Sequence, residues 1–131
     1  MGYYTELIFG ARLKAHTPDR IISTIKYLMG EEVPLDKIDP NLPENCSKLM
    51  GGSSYFGVSS TVNKLYKESD SWILSSRFNR KNYDSGIEAF LDWIKPYIHY
   101  GSGEKNIFAI VINEDDSEPM IYYLNDLENE C

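Results

Sequence analysis

The sequence predicts a single domain of the α+β class, with two helices packed on one face of a mostly antiparallel sheet. Three observations support this class: a long alternating segment near the N-terminal end, two segments with apolar residues at helical spacing, and four shorter strand-like segments. The 131 residues suit one domain. Apolar residues make up 42% and charged residues 25%, as in ordinary globular proteins, which excludes a disordered chain or a disulfide-stapled peptide.

The first strand is predicted over residues 3–15, where apolar and polar side chains alternate. One face carries Tyr3, Thr5, Leu7, Phe9, Ala11 and Leu13. The other face carries Tyr4, Glu6, Ile8, Gly10, Arg12 and Lys14. Because successive side chains of a strand point to opposite faces, we expect the first set to meet the helices and the second set to look outward.

The first helix is predicted to begin at Thr17, whose hydroxyl suits an N-cap, with Pro18 at the first helical position. Its apolar stripe consists of Ile21, Ile22, Ile25, Leu28 and Met29. Gly30 follows this stripe and suits the left-handed conformation that ends many helices.

The second helix is predicted to begin at a capping box formed by Ser85 and Glu88. Its apolar stripe consists of Ile87, Phe90, Leu91, Ile94, Tyr97 and Ile98. Pro96 lies within the last turns, so we expect a kink or an early end there.

The remaining strands complete the order β-α-β-β-α-β-β. Residues 54–61, with an extension through Tyr66, and residues 72–78 are predicted to form a hairpin. The uncharged run 107–112 is typical of a strand buried on both faces or nearly so, and residues 119–124 are expected to pair with it. The first six elements match the split βαβ arrangement of the ferredoxin-like fold, which leaves one extra C-terminal strand.

Residues 31–53 form an unusually long connection between the first helix and the hairpin, with prolines at 34, 40 and 43. Loops of this length in a small domain are often functional or interaction elements. The alternative is a crossover that packs Leu35, Ile38, Leu42 and Leu49 over an edge of the core.

The charge balance disfavours several partners. Twenty acids and thirteen bases give a net charge of −7, which opposes direct contact with nucleic acid or an anionic membrane surface. The longest uncharged apolar run, Ile107–Ile112, is far shorter than the roughly 20 residues that span a bilayer. The segment Met1–Glu6 has no basic residue before the first apolar stretch, so we expect no signal peptide. Cys46 and Cys131 are expected to be free thiols in a reducing cytoplasm, and residues 126–131 to form a frayed acidic tail.

The sequence carries no motif of an enzyme, a metal site or a cofactor site. His16 and His99 have no partner at a recognisable spacing and are expected on the surface. The glycine loops at 51–52 and 101–103 lead into strands and are interpreted as turns, since phosphate loops end at a helix N-terminus. We therefore predict no catalytic residue, no metal and no cofactor.

One basic segment is the best candidate for binding a small ligand. Arg77, Arg80, Lys81 and Asn82 precede the second helix, where cations beside free backbone N–H groups bind phosphate or carboxylate. The alternative is that these bases neutralise nearby acids or solvate a loop.

Seven segments together carry a resemblance: Met1–Leu7, Thr17–Ile22, Leu28–Gly30, Ser54–Phe56, Asn82–Asp84, Ile87–Ile98 and Ile121–Leu124. They resemble small bacteriophage- and prophage-encoded proteins that have no assigned activity. The resemblance implies the cytoplasm of an infected bacterium, where small acidic proteins often bind and block host proteins.

The leading hypothesis is therefore a non-enzymatic phage accessory protein that binds a host or phage protein. One candidate partner is a defence or nucleic-acid-processing protein, in which case the acidic residues would imitate the charge of nucleic acid and occupy its DNA- or RNA-binding surface. The alternative is a binder of a small anion or nucleotide at the basic segment. A hydrolase with converging carboxylates is a third option. Homodimerisation through the outward sheet face or an edge strand is also open.

Overall fold

Five strands and two α-helices make up the described part of the chain, which in this computed structural model comprises residues 4–46, 50, 62–81, 85–99 and 107–124. Their bounds are β1 (Tyr4–Arg12), α1 (Asp19–Leu28), β2 (Val62–Glu68), β3 (Ser71–Lys81), α2 (Gly86–Ile94), β4 (Ile107–Asn113) and β5 (Met120–Tyr123). The strands form one sheet in the order β2-β3-β1-β4-β5, and all neighbours are antiparallel. The predicted α+β class is confirmed.

Strand β1 lies at the centre of the sheet and sets which residues face the core. Leu7 lies opposite Phe78 of β3 on one side and Val111 of β4 on the other, and all three are buried. The inward face predicted for this strand is confirmed at Leu7, Phe9 and Leu13, which are buried, whereas Glu6 of the predicted outward face is buried too.

Both helices place their predicted apolar stripes in the same core. Ile21, Ile22, Ile25 and Leu28 of α1 are buried in one cluster with Ile87, Phe90, Leu91 and Ile94 of α2. Helix α2 reaches the sheet through Phe90, whose ring contacts Phe9 edge-on at 5.5 Å between centroids. Helix α1 reaches it through Lys26, whose Nζ lies 5.7 Å from the centroid of the Trp72 ring.

The ends of α1 follow the sequence in part. Thr17 does not cap the helix, because its hydroxyl donates to the carbonyl oxygen of Lys14 at 2.6 Å and the helix begins at Asp19. The left-handed conformation predicted for Gly30 is confirmed, since its φ is 101°. The Gly30 N–H then donates to Tyr27 O and the Glu31 N–H to Lys26 O, each at 3.0 Å, so carbonyls at the helix end are satisfied.

The ends of α2 show one error and one confirmation. The predicted capping box is wrong, because Ser85 adopts a left-handed φ of 58° and its side chain makes no capping hydrogen bond. The early end at Pro96 is confirmed, since the α-helix stops at Ile94 and a 3₁₀ turn, Lys95–Tyr97, follows.

Strand β4 is less buried than the complete or nearly complete burial that was predicted for it. Its register against β5 shifts between Ile107 and Ala109, so that Phe108 and Ala109 are both buried while Ile107 is 44% exposed. Such a bulge turns two consecutive side chains toward one face, which a regular alternation cannot do. Ile110 and Ile112 are only half-buried.

Several expectations lie outside the described residues. They concern the strand over 54–61, both glycine loops, Asn82, Cys131 and the tail over 126–131. Cys46 is described, and its thiol is buried. None of the helices in the described ranges is both long enough and apolar enough to cross a membrane.

The contact between Phe9 and Phe90 predicts a large stability effect. We expect Phe90→Ala to lower the free energy of unfolding by about 3–5 kcal/mol, because a buried phenylalanine is replaced by a cavity. Urea denaturation measures this loss. Ile107→Ala is the control at a partly exposed site and is expected to cost less than about 1 kcal/mol. Equal losses in both variants would contradict the burial of Phe90.

Candidate functional site

The described part of the long connection forms a pocket of about 400 Å³ beside α1. We call it the Asp39 pocket. Its apolar lining consists of Tyr27, Leu35, Ile38, Pro40, Leu42 and Pro43. Asp39 and Glu44 are its two acidic lining residues, and among the described residues no lysine, arginine or histidine lines it. The pocket therefore joins an apolar wall to negative charge.

Both helices hold Asp39 in place. The indole Nε1–H of Trp93 in α2 donates to Asp39 Oδ2 at 2.8 Å, and the Asn41 N–H donates to Oδ1 at 3.3 Å. The Asp39 N–H donates to Thr24 Oγ1 of α1 at 2.7 Å, and the Thr24 hydroxyl donates to Arg20 O. The residue is only 7% exposed, so these contacts fix a buried carboxylate.

No cation pairs with this carboxylate among the described residues. The two ion pairs in the described ranges join Arg12 to Glu68 at 2.7 Å and Arg77 to Glu6. Burying a carboxylate is costly unless a cation or several hydrogen bonds compensate. Neutral donors alone compensate Asp39, which leaves its negative charge unmatched within the described fold.

The length and prolines of this connection marked it as a candidate functional element, but no sequence motif marked Asp39. Leu42 packs against the core as expected, whereas Leu35 was expected over the core edge and is instead 86% exposed. Leu49 lies outside the described residues. The one sequence signal for Asp39 is Thr24, a hydroxyl within the apolar stripe of α1 that needs a polar partner when buried.

The predicted basic site is not assembled on one face of the sheet. Arg77 lies opposite Ile8 on the face away from the helices, whereas Arg80 lies opposite Thr5 on the helix-facing side. This separation follows from the alternation of β3, which continues to Lys81. Only the backbone of Lys81 is described and Asn82 is not, so an anion site at this strand end stays a prediction.

The face away from the helices is not uniformly exposed, which corrects the expectation for Glu6. Glu6 is only 2% exposed and its Oε2 accepts a hydrogen bond from Arg77 Nε. Its neighbour across the strands, Asn79, is also buried. Arg77 therefore neutralises a buried acid, as the alternative interpretation of the basic segment supposed.

The two edges of the sheet differ in chemistry. Strand β2 carries Lys64, Lys67 and Glu68, charges of the kind that protect an edge from pairing. Strand β5 has the sequence Met-Ile-Tyr-Tyr, and Met120, Ile121 and Tyr123 are 55%, 39% and 37% exposed. We call these three residues with their backbone the β5 edge. Among the described strands, β5 pairs only with β4.

Tyr122 anchors the β5 edge to the core. Its ring contacts Phe108 edge-on at 6.3 Å between centroids. Burial raises the pKa of Tyr122 above the ordinary 10.0, and the carboxylates of Glu88 and Asp92 raise it further. The phenol is therefore held in its neutral form where it packs.

The two histidines lie on the surface, whereas the described cysteine lies in the core. His16 and His99 are exposed, as expected. The Cys46 thiol is buried and donates to Gly86 O at 3.4 Å. Within the described ranges, no three residues of the types His, Cys, Asp and Glu are grouped to hold a metal ion.

Comparisons of the chain with protein-family models, curated proteins and solved structures find no match. The resemblance to phage-encoded proteins therefore stays a prediction.

The hydrogen bond between Trp93 and Asp39 predicts the effect of removing its donor. We expect Trp93→Phe to lower the free energy of unfolding by about 1–3 kcal/mol, because a buried carboxylate loses its closest donor. Trp72→Phe is the matched control, since Trp72 is half-buried at the margin of the core and its ring lies near the Nζ atoms of Lys26 and Lys67. Urea denaturation of both variants should give the smaller loss for Trp72→Phe; the reverse order would contradict the assignment.

The raised pKa of Tyr122 predicts a pH dependence of stability. The folded state holds the phenolic proton more tightly than the unfolded chain does, so the contribution is complete below the unfolded pKa, near 10.0, and is lost as the pH rises through the folded value. We expect the stability of the wild type relative to Tyr122→Phe to decline only at alkaline pH. In Glu88→Gln, the pKa of Tyr122 should move back toward its ordinary value. Urea denaturation at several pH values measures the difference in stability. Ultraviolet difference titration of tyrosinate, with Tyr122→Phe as the reference, measures the pKa of Tyr122. An unchanged pKa in Glu88→Gln would contradict the electrostatic cause.

Proposed function

We propose that this chain is a non-enzymatic, phage- or prophage-encoded accessory protein that binds a protein partner in the cytoplasm of the host. Binding occurs by addition of an extended strand of the partner to the β5 edge. The observation that carries the proposal is the contrast between the charged β2 edge and the uncharged, apolar β5 edge.

An exposed apolar edge strand favours pairing with another chain. Its open N–H and C=O groups form main-chain hydrogen bonds with an incoming strand, and its alternate side chains provide specificity. Natural domains protect such edges when they do not use them, as β2 does with Lys64 and Lys67. The absence of charge from Met120 to Tyr123 therefore supports a binding role.

The surroundings of the β5 edge indicate the chemistry of the partner. Ile121 lies beside Ile110, and Tyr123 lies beside the exposed Ile107, so an apolar side chain of an added strand would find apolar neighbours. The preceding turn exposes four acids: Glu114, Asp115, Asp116 and Glu118. We infer a partner segment with apolar residues at alternate positions and basic residues at one end.

The fold that we propose is ferredoxin-like with one additional strand. The order of elements and the strand order β2-β3-β1-β4 support the split βαβ arrangement. Strand β5 lies beyond this arrangement. An added strand that leaves the sheet with an apolar edge is consistent with a strand gained for binding.

Matched crosslinking probes and matched lysine substitutions at the β5 and β2 edges test this function. A photoreactive phenylalanine at position 123 should crosslink to a protein from an extract of the bacterial host, and the same probe in place of Tyr66 at the β2 edge should not. Ile121→Lys should abolish the crosslink, because lysine at a strand edge opposes pairing. Val62→Lys, at the β2 edge, should preserve it.

The test has three outcomes that contradict the proposal. Equal crosslinking of the two positions, or a product that survives Ile121→Lys, would rule out strand addition at β5. A crosslinked dimer of the chain itself, with a dimer in sedimentation experiments, would show that the edge pairs with a second copy rather than with a partner.

A further inference from the structure

We propose that the Asp39 pocket binds a small organic cation, namely an amine or guanidine carried on an apolar body. This inference goes beyond the proposed function and rests on other residues. The apolar lining would contact the body of the ligand, while the Asp39 carboxylate attracts the cationic head. Glu44 adds a second negative charge at the wall.

The negative charge of the site determines that the ligand carries a positive charge. Asp39 is 93% buried, given its 7% exposure, and in the described part of the chain it receives hydrogen bonds only from the Trp93 indole and from a backbone N–H. Each carboxylate oxygen can accept more than one hydrogen bond, so Asp39 can still accept from a cation. An anionic ligand would be repelled by both acids.

The size and rigidity of the pocket favour a small molecule. A volume of about 400 Å³ lies in the range of roughly 300–1,000 Å³ that is typical of small-molecule sites. Pro40 and Pro43 stiffen the wall, since proline fixes φ. The carboxylate is already held by Trp93 and, through its backbone, by Thr24, so binding does not have to order it.

The test uses three probes with one body and different heads: 4-phenylbutylamine, 4-phenylbutanol and 4-phenylbutyrate. The readout is the indole N–H resonance of Trp93 in ¹⁵N-labelled protein, because this N–H donates to Asp39. The chain has two tryptophans, so the indole of Trp72 serves as an internal reference. We expect the amine to shift the Trp93 resonance and bind at least about tenfold more tightly than the alcohol, as a charge-assisted hydrogen bond implies. The carboxylate probe should not bind.

Two variants separate the charge of Asp39 from its structural role. Asp39→Asn keeps an oxygen that can accept from the Trp93 indole but removes the charge, so the amine should bind no more tightly than the alcohol. Asp36→Asn removes the same charge from an exposed position outside the pocket and should leave the preference for the amine unchanged. If Asp39→Asn fails to fold, Glu44→Gln, which changes an exposed residue of the pocket wall, is expected to lower the affinity for the amine and not the affinity for the alcohol.

Three results would overturn the proposal. The first is equal affinities of the amine and the alcohol for the wild type. The second is a shift of the indole resonance of Trp72 rather than that of Trp93. The third is an equal loss of the preference for the amine in Asp36→Asn and in Asp39→Asn.

A blocked tripeptide with a central arginine is the fourth probe. If it binds more tightly than the free amine, the pocket receives a side chain of a protein and not a small molecule. Because the readout does not involve β5, failure here leaves the crosslinking result untouched.

Discussion

The packing of Phe9 against Phe90 is the contact on which the rest of the described structure depends. Phe9 lies on the central strand, with the ring of Phe90 at 5.5 Å and that of Phe108 at 6.0 Å. From Phe90 the rings continue to Trp93 at 6.2 Å, and Trp93 holds Asp39. From Phe108 they continue to Tyr122 at 6.3 Å. The Asp39 pocket and the β5 edge are therefore attached to opposite ends of one aromatic core.

This arrangement explains why neither candidate site is built on loosely held residues. Aromatic side chains bury large areas and have few rotatable bonds, so edge-on ring contacts fix their neighbours at little entropic cost. Asp39 comes from an irregular connection but takes its position from α1 and α2. Likewise, β5 has only four residues and takes its position from the Tyr122 ring and from pairing with β4.

The sequence predicted the features that depend on local periodicity. Alternation in β1, the stripes of α1 and α2, the cap at Gly30 and the stop at Pro96 are encoded within a few residues. The features that it missed join distant positions. Asp39 and Trp93 are 54 residues apart and Glu6 and Arg77 are 71 apart, so no local pattern marks either pair. The bulge at Phe108 depends on the register between β4 and β5, which alternation alone does not set.

The two buried carboxylates show how differently the fold treats negative charge. Glu6 is paired with a guanidinium, and its charge is matched where it lies. Asp39 is buried to a similar degree but is held by an indole and a backbone N–H, which orient the carboxylate without cancelling its charge. A carboxylate paired within the fold has little to gain from a cation in solution, because that cation would have to displace the existing one. A carboxylate held by neutral donors keeps its attraction, and its place in the wall of an apolar pocket limits which cations can reach it.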